Sequence, residues 1–311
     1  MKKKLKIGSR KSALALWQAE TVAAMLNNSG WETEIVTIET RGDKIQNTPI
    51  ADIGGKGVFT QEIEAMLQQG AIDLAVHSAK DMPSQLPEGF GLIAFTAREK
   101  VNDVLVSPNA GIAPADTKTP LCIGTSSVRR VALLKHFYPH IRTVGMRGNL
   151  QTRIKKMTSG ACDALILAYA GVKRMDYAHM IVSELPETDF IPPAGQGCLA
   201  IEVFETIDAD LNAQIRKCLN HPETEYALTA ERAFLETLKG GCSIPVFALA
   251  TCLGEQIRLT AGLISLDGAD LLKTTMTDDK AYARRLGEKA GRHILDAGGE
   301  KLLSEIKSAP K

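Results

Sequence analysis

The sequence predicts an α/β protein with two doubly wound α/β domains followed by a small α+β domain. Three observations carry this expectation. Up to about residue 200, short apolar strand-like runs alternate with amphipathic helical stretches, the grammar of crossover connections and largely parallel sheets. From about His221 the pattern changes to one long helix, three strand-like runs and two further helices. Between the first two stretches, residues 98–116 and the Pro192-Pro193-Ala194-Gly195-Gln196-Gly197 segment read as hinges.

Taken in order, residues 5–8 form a strand, and a helix follows from Ser12 with Leu16, Ala19, Val22, Ala23 and Leu26 at helical spacing. Residues 34–39 alternate as a strand, 59–67 are helical and 73–77 are a buried strand. Residues 121–124 run into a helix near Ser126, 142–145 into another at about Leu150, and 164–170 make a further strand. The run 199–204 returns to the first domain as a strand. A long helix over 225–238 ends at Gly240-Gly241, a glycine stop. Strands at 246–252, 256–265 and 271–277 and helices near 279–295 and 300–307 complete the chain. The expected domains are 1–98 with about 197–217, then 103–192, then 220–311.

Composition narrows the function. Of 311 residues, 44% are hydrophobic and 23% charged, which excludes a disordered or fibrous chain. Lys+Arg number 37 and Asp+Glu 36, a net charge of +1, so no global field recruits nucleic acid or a membrane. The six cysteines form no Cys-x-x-Cys pair and have no His at zinc-ligand spacing, so no metal site is expected. No stretch approaches the roughly 20 apolar residues of a membrane span. The basic residues of Met1–Ile7 have no apolar run behind them, so a cytoplasmic protein without a signal peptide is expected.

Positive charge gathers at three strand-to-helix junctions: Gly8-Ser9-Arg10-Lys11-Ser12, Gly124-Thr125-Ser126-Ser127-Val128-Arg129-Arg130, and Gly145-Met146-Arg147-Gly148-Asn149 with Arg153. Free helix N–H groups there bind anions, yet the macrodipole disfavours cations by ~0.3–1 kcal/mol each. The same local rule broken three times points to a function, namely holding carboxylate or phosphate in two-point contact. Gly54-Gly55-Lys56-Gly57, before Phe59, lacks the ending of a nucleotide P-loop.

His77-Ser78-Ala79-Lys80-Asp81-Met82-Pro83 ends an apolar strand with one carboxylate among cations. Spacing alone leaves open whether Asp81 reacts or balances Lys80, and His77 reads as a structural histidine. Cys242 sits in Gly240-Gly241-Cys242-Ser243-Ile244-Pro245. The glycines give room beside its sulfur, and spacing leaves a reactive and an inert thiol both open.

These segments, with Thr40-Arg41-Gly42-Asp43, Gly195-Gln196-Gly197 and Ala230-Glu231-Arg232, cover nearly the whole chain and together resemble the porphobilinogen deaminase (hydroxymethylbilane synthase) family. The resemblance implies a transferase that joins four porphobilinogen units head to tail with loss of ammonia, primed on a dipyrromethane cofactor held by a thioether. The matching cysteine is Cys242 and the matching catalytic aspartate is Asp81. By the same resemblance Lys80, Ser126, Ser127, Arg129, Arg130, Arg147 and Gly148 bind the cofactor. Arg10, Ser12, Lys56, Phe59, Arg153 and Gln196 bind the substrate and the growing oligopyrrole. The first two domains are implied to resemble type II periplasmic binding proteins, and the protein to be a monomer with no nucleic-acid or membrane partner.

Two departures from the family pattern stand out. Lys100-Val101-Asn102-Asp103 replaces an Asp-Pro-Arg-Asp stretch, and Pro192-Pro193 replaces a single proline. The first implies a softer hinge or altered interdomain pairing rather than lost catalysis, and both fall at the expected hinges and bear on domain motion during elongation. The rival reading is a non-catalytic anion-binding module of two-domain solute-binding type, which leaves the third domain and Cys242 without a role.

Overall fold

The computed structural model describes residues 4–40, 42, 60–239 and 244–309. The chain divides into two units, Met1–Glu99 with Gly197–Glu225, and Lys100–Gln196 with Tyr226–Lys311.

In the first stretch, β1 (Leu5–Arg10), α1 (Ala13–Asn28), β2 (Thr33–Ile38), α2 (Gln61–Gln68), β3 (Leu74–Ser78) and β4 (Phe90–Phe95) follow one another. Ser12 caps α1 by accepting from the Ala15 N–H, which satisfies a donor that the helix leaves open. β1 runs parallel to both β2 and β3.

Residues 98–116, expected as a hinge, contain β5 (Asp103–Val106), a strand buried at every position. Its apolar run is only three residues long and opens on Asn102 and Asp103, so its pattern looks like a linker. β6 (Cys122–Gly124), α3 (Val128–Phe137), β7 (Arg142–Val144), α4 (Leu150–Thr158), β8 (Ala164–Ala168), α5 (Tyr169–Arg174) and β9 (Ile181–Glu184) follow. Ser127 caps α3 and Asn149 caps α4 through their side chains.

The chain then returns to the first unit as β10 (Leu199–Phe204), followed by α6 (Ala209–Leu219). The two sheets now share one plan. Their strand orders are β2-β1-β3-β10-β4 and β7-β6-β8-β5-β9. In each, the fourth strand runs antiparallel to both neighbours, so the sheets are mixed where largely parallel ones were expected. Helices cover both faces of each. α1 and α6 pack on Leu5, Ile7, Leu74, Val76 and Ile201, and α2 packs through Ile63 and Leu67 on Ile38 and Ala75. In the second unit α3 joins Leu105, Ile123 and Ile166, and α4 joins Val104, Val106 and Leu165. Truncating any of these buried leucines to Ala would cost ~2–5 kcal/mol.

The remainder is the small α+β region. α7 (Pro222–Thr237) precedes an antiparallel meander of β11 (Val246–Leu253), β12 (Gln256–Ile264) and β13 (Leu271–Asp279), with α8 (Ala283–Ile294) and α9 (Glu300–Ser308) after it. Glu231 on α7 is fully buried, and its carboxylate accepts from the Gly195 and Ala250 N–H groups, both at 2.8 Å.

Candidate active site

In the first unit, β1 and β3 are parallel neighbours, so the segments after them share one sheet edge, where ligands gather in α/β folds. At the end of β1, Ser9 is buried and donates to the Ala15 carbonyl at 3.0 Å, fixing the entry to α1, while Arg10, the last residue of the strand, and Ser12 beyond it are half-buried. After β3 a 3₁₀ turn, Ala79–Asp81, carries Lys80 half-buried and Asp81 exposed. Its start is pinned twice. The Ala79 N–H donates to the Cys198 carbonyl at 3.1 Å, and Gln18 Nε2 donates to Ser78 Oγ at 2.8 Å. The structure thus brings Arg10, Ser12, Lys80 and Asp81 to one edge of this sheet.

The second unit repeats the arrangement with β6 and β7, also parallel neighbours. Ser126 is exposed and Ser127 half-buried after β6, and Arg147, Gly148 and Arg153 are half-buried after β7. Gly148 has φ +115°, and a Cβ there would lie 2.7 Å from Thr152 Cγ2. Only glycine serves at such a site. Its carbonyl accepts from Arg153 Nε at 2.7 Å, so the guanidinium is folded back onto the loop.

Arg129 and Arg130 depart from a plain ligand cradle. They are 4% and 7% exposed, and both reach the same carboxylate, Asp103, which is 0% exposed. Arg129 Nη2 lies 2.6 Å from Oδ2 and Arg130 Nη2 2.6 Å from Oδ1. Each also donates through Nη1, Arg129 to the Ile191 carbonyl and Arg130 to that of Ile166. Burial alone would raise the Asp103 carboxyl, but the two guanidinium charges outweigh it and hold it far below the usual range. Burial lowers the Arg129 guanidinium, against the pull of Asp103. Gln196, fully buried, donates through Nε2 to Asp103 Oδ1 at 3.0 Å and to the Val101 carbonyl at 2.7 Å. Its neighbour Gly197 has φ +101°, and a Cβ there would meet the Glu99 carbonyl oxygen at 2.4 Å.

Asp103 is the buried counter-ion that sequence reasoning missed, although it stands in the stretch where the chain departs from the family pattern it resembles. Lys100 of that stretch pairs with Glu184, and Asn102 donates to the Leu185 carbonyl. Cys242, Lys56 and Phe59 lie outside the described residues. The five described cysteines are free thiols. Burial pushes the Cys162 thiol up to about 11, which makes it inert. Among the described residues no cluster of His, Cys, Asp or Glu could hold a metal, and no helix is long and apolar enough to cross a membrane.

Known proteins match this sequence along nearly the whole chain. The family model described as porphobilinogen deaminase, dipyromethane cofactor binding domain, matches residues 5–212. That described as porphobilinogen deaminase, C-terminal domain, matches 226–296. The chain is 53% identical over 303 residues to a porphobilinogen deaminase of Desulfosudis oleivorans, covering 97% of this chain and 98% of the relative. It is 52% identical over 310 residues to that of Cytophaga hutchinsonii, covering 99% and 98%. Among solved structures it is similar to the second substrate binding domain of a putative amino acid ABC transporter from Streptococcus pneumoniae Canada MDR_19A. That likeness has 14% identity and a TM-score of 0.43 over 70% of this chain and 91% of the other.

Proposed function

The chain belongs to the porphobilinogen deaminase family, and from that premise we propose how its own residues carry the reaction. It joins four porphobilinogen molecules head to tail into hydroxymethylbilane, releasing ammonia at each addition, a transferase step of tetrapyrrole (haem) biosynthesis primed on covalent dipyrromethane. The rival reading of a non-catalytic anion-binding module is not favoured, since both family descriptions match in order.

One observation carries the residue assignment. Two buried guanidinium groups share a single carboxylate, and among the described residues Arg130 Nε, also buried, has no hydrogen-bond partner. The cluster therefore keeps one uncompensated positive charge and one idle donor. A buried charge calls for a counter-charge, and a pyrrole acetate or propionate supplies it. Dipyrromethane fits this requirement. Lys80, Ser126, Ser127, Arg129, Arg130, Arg147 and Gly148 would hold it, with the thioether at Cys242. When bound, it supplies the unsubstituted pyrrole carbon to which the first porphobilinogen is joined.

The aminomethyl group of porphobilinogen is an ammonium at neutral pH, so its departure needs little acid help. The pyrrole nitrogen pushes electrons toward the breaking C–N bond, ammonia leaves, and an azafulvenium cation remains. Asp81 accepts the pyrrole N–H and steadies that cation. After the new C–C bond forms, it helps take the proton from the coupling carbon. Each ring adds carboxylates, so Arg10, Arg153 and Lys56 neutralise growing negative charge, Ser12 donates a hydrogen bond, Gln196 supports the substrate site through Asp103, which its amide holds, and Phe59 stacks on a pyrrole. We extend the reading to three working domains (1–98 with about 197–217, 103–192 and 220–311), a monomer, and a cytoplasmic setting without nucleic-acid or membrane partners.

Intact-mass measurement tests this reading. The purified protein should be heavier than its sequence by one bipyrrole, Cys242→Ser should abolish the increment, and porphobilinogen should add further pyrrole masses to the wild type only. An active protein of unmodified mass would overturn the attachment.

A further inference from the structure

The antiparallel strand of the first sheet carries a buried carboxylate that the reaction above does not use. Glu202 on β10 is 0% exposed, and its Oε2 lies 3.0 Å from Nε2 of His77 on β3, itself 7% exposed. Glu202 sits opposite Ala75 in the ladder and so meets His77 diagonally on one sheet face. On its other side, β10 shifts register against β4 between Ile201 and Glu202. A bulge of this kind re-aims a side chain and is common beside active sites.

α2 covers that face and adds a third ionisable group. Glu64 is buried, and burial, reinforced by the Glu202 charge, pushes its carboxyl above the usual range. Among the described residues, one oxygen each of Glu64 and Glu202 accepts no hydrogen bond. Packing does not require this chemistry. The second sheet, built on the same plan, fills the equivalent β8 and β5 positions with the apolar residues Leu167 and Val106. His77 stands two residues before the Ala79–Asp81 turn, at the last rungs of the β3–β10 ladder.

We propose that His77 is a positioning residue for the reaction: its bond to Glu202, roofed by Glu64, fixes the end of β3 and with it the turn that presents Lys80 and Asp81. This rests on the reading of Asp81 as the reacting carboxylate. A sheet interior made only for stability would lose stability on substitution; a positioning bond loses rate at unchanged affinity.

The test uses the full-length, cofactor-loaded enzyme and steady-state turnover of porphobilinogen. His77→Ala should lower kcat about tenfold or more while KM stays within about twofold. His77→Gln, which keeps an N–H toward Glu202, should recover most of that loss. Glu202→Leu should match His77→Ala, and the double variant should be no slower than either single one, the non-additivity of two residues in one bond. Normal kcat in His77→Ala, a loss carried by KM, additive effects, or no recovery in His77→Gln would each overturn the proposal. Should His77→Ala or Glu202→Leu fail to fold, Glu202→Gln decides: a lowered kcat at constant KM supports the proposal and an unchanged kcat overturns it. An Asp81→Asn enzyme of normal turnover would overturn the reading of Asp81 instead, leaving the coupling of His77 to Glu202 to the double variant.

Discussion

The two sheets share a strand plan and differ in what the antiparallel strand does with its buried carboxylate. In the second sheet Asp103 of β5 gathers two arginines from the first turn of α3. In the first, Glu202 of β10 meets a histidine of β3 and faces another carboxyl, Glu64. One site is rich in cations and keeps its carboxyl deeply ionised; the other sets two carboxyls together, and burial holds back the ionisation of Glu64. The lesson is that a common scaffold sets where an ionisable group is buried, while the neighbouring helix decides what it does. The cationic cluster is suited to hold polyanionic chains. On the acidic side, the group proposed for the chemistry is the exposed Asp81 on the following turn.

The sharpest way to break this comparison is to remove each role in turn. Asp81→Asn should cost turnover by about 10²–10⁴-fold, the usual worth of a general acid–base group, with cofactor loading and melting temperature unchanged. Near-normal turnover would move the charge-stabilising role elsewhere. Asp103→Asn should behave in the opposite way. It strands two buried guanidinium groups and should destabilise by ~3–5 kcal/mol, read as a lowered denaturant midpoint. Because the folded-state carboxyl of Asp103 is depressed, its stabilisation is complete above the unfolded carboxylate range of about pH 4 and fades as pH falls through the folded value. The gap between wild type and variant should therefore close only in strong acid.

The smallest effect sharpens the other half. Glu64 is raised when folded, so its stabilisation is present below about pH 4.3 and is lost as pH rises through the folded value. Glu64→Gln should melt slightly higher than wild type at about pH 8 and equally at about pH 3, well below the unfolded value, where the wild-type side chain is neutral in both states. A variant that is less stable at both would mean that the carboxylate form is the one the fold prefers.

Much of this was legible in the residues alone. Ser12, Ser127 and Asn149 stand where helix starts were expected, since hydroxyl and amide side chains satisfy open N–H groups locally. The cation-rich junctions and the returning strand at 199–204 followed from pattern as well. What stayed hidden depends on pairing across long separations. Nothing local to Asp103 says that it will meet residues 26 and 27 positions away, and three apolar residues beside it made too short a run to announce a central strand. His77 and Glu202 are 125 positions apart, and only the ladder register and the bulge bring them together. Arginine junctions could be read as anion cradles, but their internal counter-ion required the fold.

The position of β10 between β3 and β4 also orders events during synthesis. As the nascent chain leaves the ribosome, every strand of the second sheet is available once Glu184 has emerged, whereas the first sheet waits until Phe204 is out. The half that is translated first is thus completed last. Its β3 and β4 edges stay open in the interval, and β3 among them is the strand that an unrelated edge could capture.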